Sequence, residues 1–414
     1  MKTLSHRNVR SQVRSELPEV ESLQLLLMAA RWAMRAEDDD ALHAFAARVK
    51  DWEPVIELAS RNGLIPLVAR ALRDSGAVPL AVRRELYRRY FESNARNALY
   101  AAELRDIAAE CRLAGIELLA YKGSALAVMA YGDPSLRHPP GDIDLLLRRS
   151  DIGRAKDLVE RRGYRLFAPE DEQHHLRHRY HLHYERQDPE IHVELHWAIT
   201  PVYWPFPISQ DNLWERTHRV TIAGGAVQTL NAECAVLALC AHGAKEGWPR
   251  LSQVVDLGRL IQSHPDLNWE WILREARRMR RERVVRLGLW LVSELIGARI
   301  PELVAAEIHS DESVRRLGLQ IRNNFAAGPF SGYDFYKYAL HVWHLPSDRC
   351  RYLGYLCLLL PGKILTIVRP SSRDKDFVNL RGLPSSLYVL VRPFRVMWQY
   401  RDVRLMVRAL MKNL

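Results

Sequence analysis

Between Ile116 and Leu230 the hydrophobic period of the chain shortens to two residues, and after Asn231 it returns to three and four. IELLAYKG, DIDLLLR, YRLF, RYHLHYE, IHVELHW and RVTIAGGAVQTL are short apolar or alternating runs bounded by turn residues, the pattern of strands. SDIGRAKDLVERRG has helical spacing, with Ser150 placed as N-cap and Gly163 just past the end. Before this segment, LQLLLMAARWAMRA, HAFAARVKDWEPVIELASRNG and NALYAAELRDIAAECRLAG have the three- and four-residue steps of helices, two of them stopped by Gly63 and Gly115. After it, AECAVLALCAHGAKEG, LSQVVDLGRLIQ and WEWILREARRMRRERVVRLGLWLVSELIG are helical again. The expectation is an α+β fold: a small mixed or antiparallel sheet with flanking helices, embedded between N- and C-terminal helical regions. It divides the chain into a helical region 1–110, an α+β core 111–230, a helical domain 231–347 and a basic C-terminal region 348–414. No repeat recurs at a fixed period.

In GDIDLLLRR, Asp142 and Asp144 are two residues apart on a strand, so both carboxylates point to one face while Ile143, Leu145 and Leu147 turn to the other. Two like charges about 7 Å apart on one face repel unless a cation sits between them. Hard oxygen donors at a partly open site suit Mg²⁺, which keeps waters and shares substrate phosphates. IHVELHW alternates likewise, with His192, Glu194 and His196 opposite Ile191, Val193, Leu195 and Trp197. If the two strands pair, Glu194 joins the aspartates in a three-carboxylate cluster able to hold two metals about 3.5–4 Å apart. Glu185, Asp188 and Glu190 are rivals for the third acid, but Glu194 is better flanked by apolar residues. Upstream, LLAYKGSALAVMAYGD runs from a buried strand through Gly123-Ser124 into a helix. There a glycine permits close backbone approach, and the helix N-terminus offers N–H groups to phosphate. Lys122 adds a cation.

These residues resemble the polymerase-β-like nucleotidyltransferases, which carry a Gly-Ser or Gly-Gly turn, then two aspartates on the next strand, then a third acid later. More narrowly, KGSALAVMAYGDPSLRHPPGDIDLLL, VELHW and AHGAKEGWPRLSQVVDLGRLI are similar to the bacterial "uncharacterised nucleotidyltransferase" family over roughly residues 20–310, most specifically 120–148. The resemblance implies that Gly123 and Ser124 hold the triphosphate, that Asp142 and Asp144 bind Mg²⁺, and that Glu194 helps deprotonate the acceptor. Seventeen residues separate Ser124 from Asp142, longer than in the wider superfamily; the narrower family shares this insertion, with a segment matching Asp133, Pro134 and Arg137. Arg137 fits a phosphate contact or a turn arginine in solvent equally well. Downstream, His242, Lys245 and Trp248 lie at steps of three. Lys245 is placed to reach a phosphate and Trp248 to stack on a base, against a reading as ordinary packing. Asp256, in an apolar helix, reads as a structural hydrogen-bond partner.

Seven of the sixteen histidines (His174, His175, His178, His181, His183, His192, His196) fall within 23 residues. Imidazole suits Zn²⁺, and His174 and His178 have helical spacing. The later four alternate as strand residues do and no cysteine joins them, so they fit better as the polar face beside the carboxylates, where His196 orients Glu194 or the acceptor. Seven arginines between Arg274 and Arg286 wrap around their helix, either to bind phosphates or as a solvated face paired with Glu275 and Glu282.

The net charge of +11 is uneven: residues 348–414 hold 13 basic and 4 acidic side chains. In LYVLVRPFRVMWQYRDVRLMVRALMKNL, Arg401, Arg404 and Arg408 share one helical face and Val403, Val407 and Leu410 another, a basic amphipathic pattern. It suits an anionic membrane surface or docking on its own domain better than RNA. The greasiest run, Tyr352–Val368, is broken by Pro361, Gly362 and Lys363, and no secretory signal is visible at the N-terminus. Five cysteines without a paired motif fit reduced thiols. The expected protein is cytoplasmic, with peripheral attachment at the inner membrane face as an option. Its expected activity is Mg²⁺-dependent transfer of a nucleoside monophosphate from an NTP to an acceptor hydroxyl of a small molecule or saccharide. The alternatives are a toxin-like enzyme modifying tRNA and a non-catalytic nucleotide-binding or membrane-docking protein of the same fold.

Overall fold

The computed structural model describes residues 21–343, except 168–171, 173–175, 177–178, 202 and 209, and beyond 343 it describes residues 347 and 349. Helices α1 (21–33), α2 (Asp39–Ala46), α3 (Glu53–Arg61) and α4 (Ile65–Ala71) precede the 34-residue α5 (Leu80–Leu113). Asp38 caps α2 by accepting from the Ala41 amide, while Gly63 and Gly115 take left-handed conformations just past α3 and α5.

The chain then enters a five-stranded sheet. Its strands are β1 (Leu118–Ala120), β2 (Ile143–Leu147), β3 (Arg165–Leu166), β4 (His181–Gln187) and β5 (Glu190–His196), in the spatial order β1-β2-β5-β4-β3. Only β2 and β5 run parallel; the other neighbours are antiparallel, so the sheet is mixed. All five residues of β2 are buried, as expected for a strand covered on both faces. The register of β2 on β5 places Asp144 opposite Glu194 and Ile143 opposite Val193. Because side chains alternate, that register decides which groups meet: a slip of one residue would put Glu194 on the other face. Helix α6 (Gly123–Tyr131) links β1 to β2, and α7 (Ile152–Arg161) leads from β2 to β3.

Helix α8 (Gln210–Glu215) precedes a separate hairpin of β6 (Thr217–Ile222) and β7 (Gly225–Leu230), turned by Ala223 and Gly224, both with positive φ. Helices α9 (Ala232–Glu246), α10 (Leu251–Ser263), α11 (Trp269–Arg278) and α12 (Glu282–Trp290) follow, then a π-helical turn at Leu291–Leu295, α13 (Glu302–His309) and α14 (Glu312–Ala327). Helix α10 packs on α6, which ties the helical region after the sheet to the turn at Gly123. The chain divides into two compact units, one ending at Pro329 and one beginning at Phe330; the second contains α15 (Gly332–Val342), with Phe330 stacked on Tyr338.

Three local expectations change. Ser150 is not an N-cap: it lies in a 3₁₀ turn, Arg149–Asp151, and α7 begins after it. The arginine-rich stretch is two helices, because Arg280 adopts φ +57° and the Arg281 amide turns back to the Ala276 carbonyl. That turn buries Arg281 so that its guanidinium donates to the Pro205 carbonyl. Trp248 does not share a helix face with His242 and Lys245, since Gly247 in the left-handed region ends α9 and the Trp248 amide donates back to the Gly243 carbonyl. The expectations for His174, His175 and His178, and for the basic region from 348 on, fall outside the described residues apart from Arg349. Among the described residues, no helix is long and apolar enough to cross a membrane.

Candidate metal and nucleotide site

The turn from β1 into α6 sets one side of the site. Lys122 is the extended N-cap and Gly123 begins the helix at φ +54°. A Cβ on Gly123 would meet Pro140 Cβ at 3.6 Å, an ordinary contact, so backbone conformation and not space demands glycine there. Ser124, half-buried, follows in the first helical turn, where amide N–H groups have no partner within the helix. The other side is the start of β2. Asp142 sits just before the strand and Asp144 within it, and parallel pairing brings Glu194 of β5 alongside.

Carboxylate oxygens of Asp142, Asp144 and Glu194 all lie within 4.8 Å of one another. The like charge of Asp144, with burial second, pushes the Asp142 carboxyl up to about 7. Asp144 is buried, which alone would raise its pKa, but Lys122 and His196 outweigh burial and hold it well below the usual carboxylate range. Lys122 Nζ is 2.6 Å from Asp144 Oδ1, and His196 Nε2 is 3.0 Å from the same oxygen. His196 Nε2 also lies 2.9 Å from Glu194 Oε2. Burial likewise opposes ionisation of Glu194, yet hydrogen bonds from His183 and His196 keep it strongly acidic. The result is three acids beside the Lys122 ammonium and the His196 imidazole, with one of the acids, Asp142, under net repulsion. A divalent ion at Asp142 would remove that repulsion, and an all-oxygen donor set suits Mg²⁺.

A cavity of about 880 Å³ opens onto this cluster. Lys122, Gly123, Arg137, Asp142, Asp144 and His242 line it, together with residues that local spacing did not single out: Arg89 from α5, His138 before β2, Glu246 from α9 and Arg250 before α10. They come from segments far apart in sequence, so no short pattern joins them; only the Pro139-Pro140 pair ahead of Asp142 marks a constrained approach to the site. Glu194 and Ser124 are not among the lining residues. Burial holds the His242 imidazole neutral, down to about 3.

The remaining sequence candidates fall in different places. Arg137 lines the cavity, but its guanidinium is engaged by Asp256, with Nη2 2.8 Å from Oδ2 and Nε 3.1 Å from both carboxylate oxygens. Asp256 also accepts from the Tyr131 hydroxyl at 2.7 Å, which makes it a bridge between α6, the loop before β2 and α10. Lys245 donates to the Tyr180 hydroxyl at 2.9 Å and does not line the cavity. Trp248 is 1% exposed and packs against Gly243 in the core, so it has no face to offer a base. Glu185, Asp188 and Glu190 are absent from the carboxylate cluster.

The family model described as "Uncharacterised nucleotidyltransferase" matches residues 48–297. No curated protein and no solved structure matches the chain.

Proposed function

The chain belongs to the uncharacterised nucleotidyltransferase family, and from that premise we propose the reaction it catalyses. It moves a nucleoside monophosphate from an NTP to the hydroxyl of a small molecule or saccharide. The observation that carries this reading is the convergence of Asp142, Asp144 and Glu194 beside a cavity whose wall includes Lys122 and the Gly123 turn.

Asp142, Asp144 and Glu194 would hold the metal. Bound there, Mg²⁺ would neutralise phosphate charge and activate the acceptor oxygen, with two ions expected in a fully loaded site. The Gly123-Ser124 turn presents N–H groups to the triphosphate, with Lys122 and Arg250 adding positive charge along the wall. The acceptor oxygen bonds to the α-phosphorus as the bond to the bridging oxygen breaks. Pyrophosphate leaves, and the hydroxyl proton passes to the carboxylate cluster. The protein's contribution is positioning and charge compensation.

The arginines between 274 and 286 support a small acceptor over an RNA. Arg274 pairs with Glu270, Arg277 and Arg286 with Glu307, Arg278 with Glu275 and Arg283 with Asp311. Most of that positive charge is already spent inside the fold. The test is incubation of the full chain with each α-labelled NTP, Mg²⁺ and panels of sugars, hydroxylated metabolites and tRNA. Label is expected on a small acceptor, with at least about a hundredfold loss in Asp144→Asn. Equal nucleotide binding and transfer in Asp142→Ala and Asp144→Ala would overturn the reading.

A further inference from the structure

The carboxylate cluster has a second neighbour of different chemistry. Ligand atoms of His181, Glu194 and His196 also lie within 4.8 Å of one another. We propose that these three side chains form a separate site for a nitrogen-preferring divalent ion of the Zn²⁺ type, sharing Glu194 with the aspartate cluster.

The donor set separates the two sites. Asp142 and Asp144 offer oxygen alone, the choice of Mg²⁺, whereas two imidazoles and one carboxylate are the ligands of Zn²⁺ and its relatives. Spacing agrees. Four ligands at about 2.0–2.1 Å from a tetrahedral ion stand about 3.3 Å apart. Here His196 Nε2 is 2.9 Å and His181 Nε2 3.6 Å from the two oxygens of Glu194. The longer separation exceeds hydrogen-bonding distance, so no such bond to Glu194 holds His181 in place. Nε2 is the nitrogen nearer Glu194 in both rings; the Nδ1 atoms, buried without a hydrogen-bond partner among the described residues, would not be the ligands.

Paired strands fix the arrangement. His181 stands opposite His196 in the β4–β5 ladder, and Glu194 lies two residues before His196 on the same face of β5. Three ligands from two hydrogen-bonded strands make a rigid frame. None of the three lines the cavity as Asp142 and Asp144 do. The ion would therefore sit behind the reaction chamber, and its task would be to hold Glu194 and His196 in place. The site does not rest on nucleotidyl transfer, since a chain that never met a nucleotide would load the ion equally.

The experiment uses the full chain, stripped with a chelator and re-equilibrated with Zn²⁺ or Co²⁺ in excess Mg²⁺. About one Zn²⁺ per chain is expected to survive gel filtration, and the Co²⁺ form is expected to absorb in the visible. His181→Gln, at a partly exposed position on β4, should fold with an unchanged circular dichroism spectrum yet bind Zn²⁺ at least about tenfold more weakly. Asp142→Asn should keep the Zn²⁺ and lose Mg²⁺-dependent nucleotide binding, so failure of either reading can be told from failure of the other. Substoichiometric Zn²⁺ in the wild type, or retention by His181→Gln equal to wild type, overturns the proposal.

Discussion

The ammonium of Lys122 lies 2.6 Å from Asp144 Oδ1, and the aspartate side chain it meets is only 3% exposed. Asp144 favours the charged lysine enough to overcome burial, so Lys122 stays protonated. Lys122→Met leaves a buried carboxylate supported by His196 alone. Breaking such a pair costs about 3–5 kcal/mol. The melting temperature of the variant in chelator should fall accordingly, and millimolar Mg²⁺ should raise it more than it raises the wild type. An unchanged melting temperature would mean that the pair is not formed.

Asp142 supplies a pH test of the opposite sign to most carboxylates. Its folded value of about 7 lies above the ordinary value of about 4, so the native chain holds a proton that the unfolded chain releases between those limits. This group's contribution to stability is therefore fully favourable below about pH 4, falls as the pH rises to about 7, and is flat above that. Asp142→Asn should match the metal-free wild type near pH 4 and exceed it in denaturant midpoint at pH 8. Saturating Mg²⁺ should shrink the difference at pH 8. A variant less stable than wild type at pH 8 in chelator contradicts the repulsion assigned here.

Arg137 and Asp256 form a pair with side-chain exposures of 13% and 9%. Arg137→Ala should destabilise by about 3–5 kcal/mol because Asp256 is left buried without its cation. The double replacement Arg137→Leu with Asp256→Leu should recover much of that loss. Activity then distinguishes the roles: stability restored without activity assigns Arg137 to the nucleotide as well, whereas both restored assigns it to the fold.

Gly243 has no room for a side chain, since an added Cβ would stand 2.6 Å from the Trp248 ring. Gly243→Ala should cost about 1–3 kcal/mol by overpacking. Denaturant unfolding monitored by tryptophan fluorescence checks the figure.

The site was legible where chemistry and period coincide. Asp142 and Asp144, two residues apart at the start of an otherwise apolar run, and Glu194 in a run of strict alternation, mark a shared face before any pairing is known. The sheet itself followed from the same alternation. What stayed hidden depends on tertiary contact. Nothing near Arg137 in sequence shows that Asp256, on α10, will take its guanidinium. Lys122 reads from the sequence as a cation beside the turn, but its ion pair with Asp144 across to β2 is a product of strand order. Trp248 followed helical spacing by number, but Gly247 ended the helix one residue earlier and the ring turned inward. Arg277, Arg283 and Arg286 likewise found carboxylates on α13 and at the start of α14, which no local pattern reveals.

Pyrophosphate release from NTPs by the full chain, with Mg²⁺ and a small-molecule acceptor extract, tests the central claim most directly. Wild type should release one pyrophosphate for each nucleoside monophosphate joined to acceptor, and chelator, Asp142→Ala and Asp144→Ala should each abolish release by at least about a hundredfold. Release that persists unchanged in both aspartate variants would contradict the assignment of nucleotidyl transfer to this cluster.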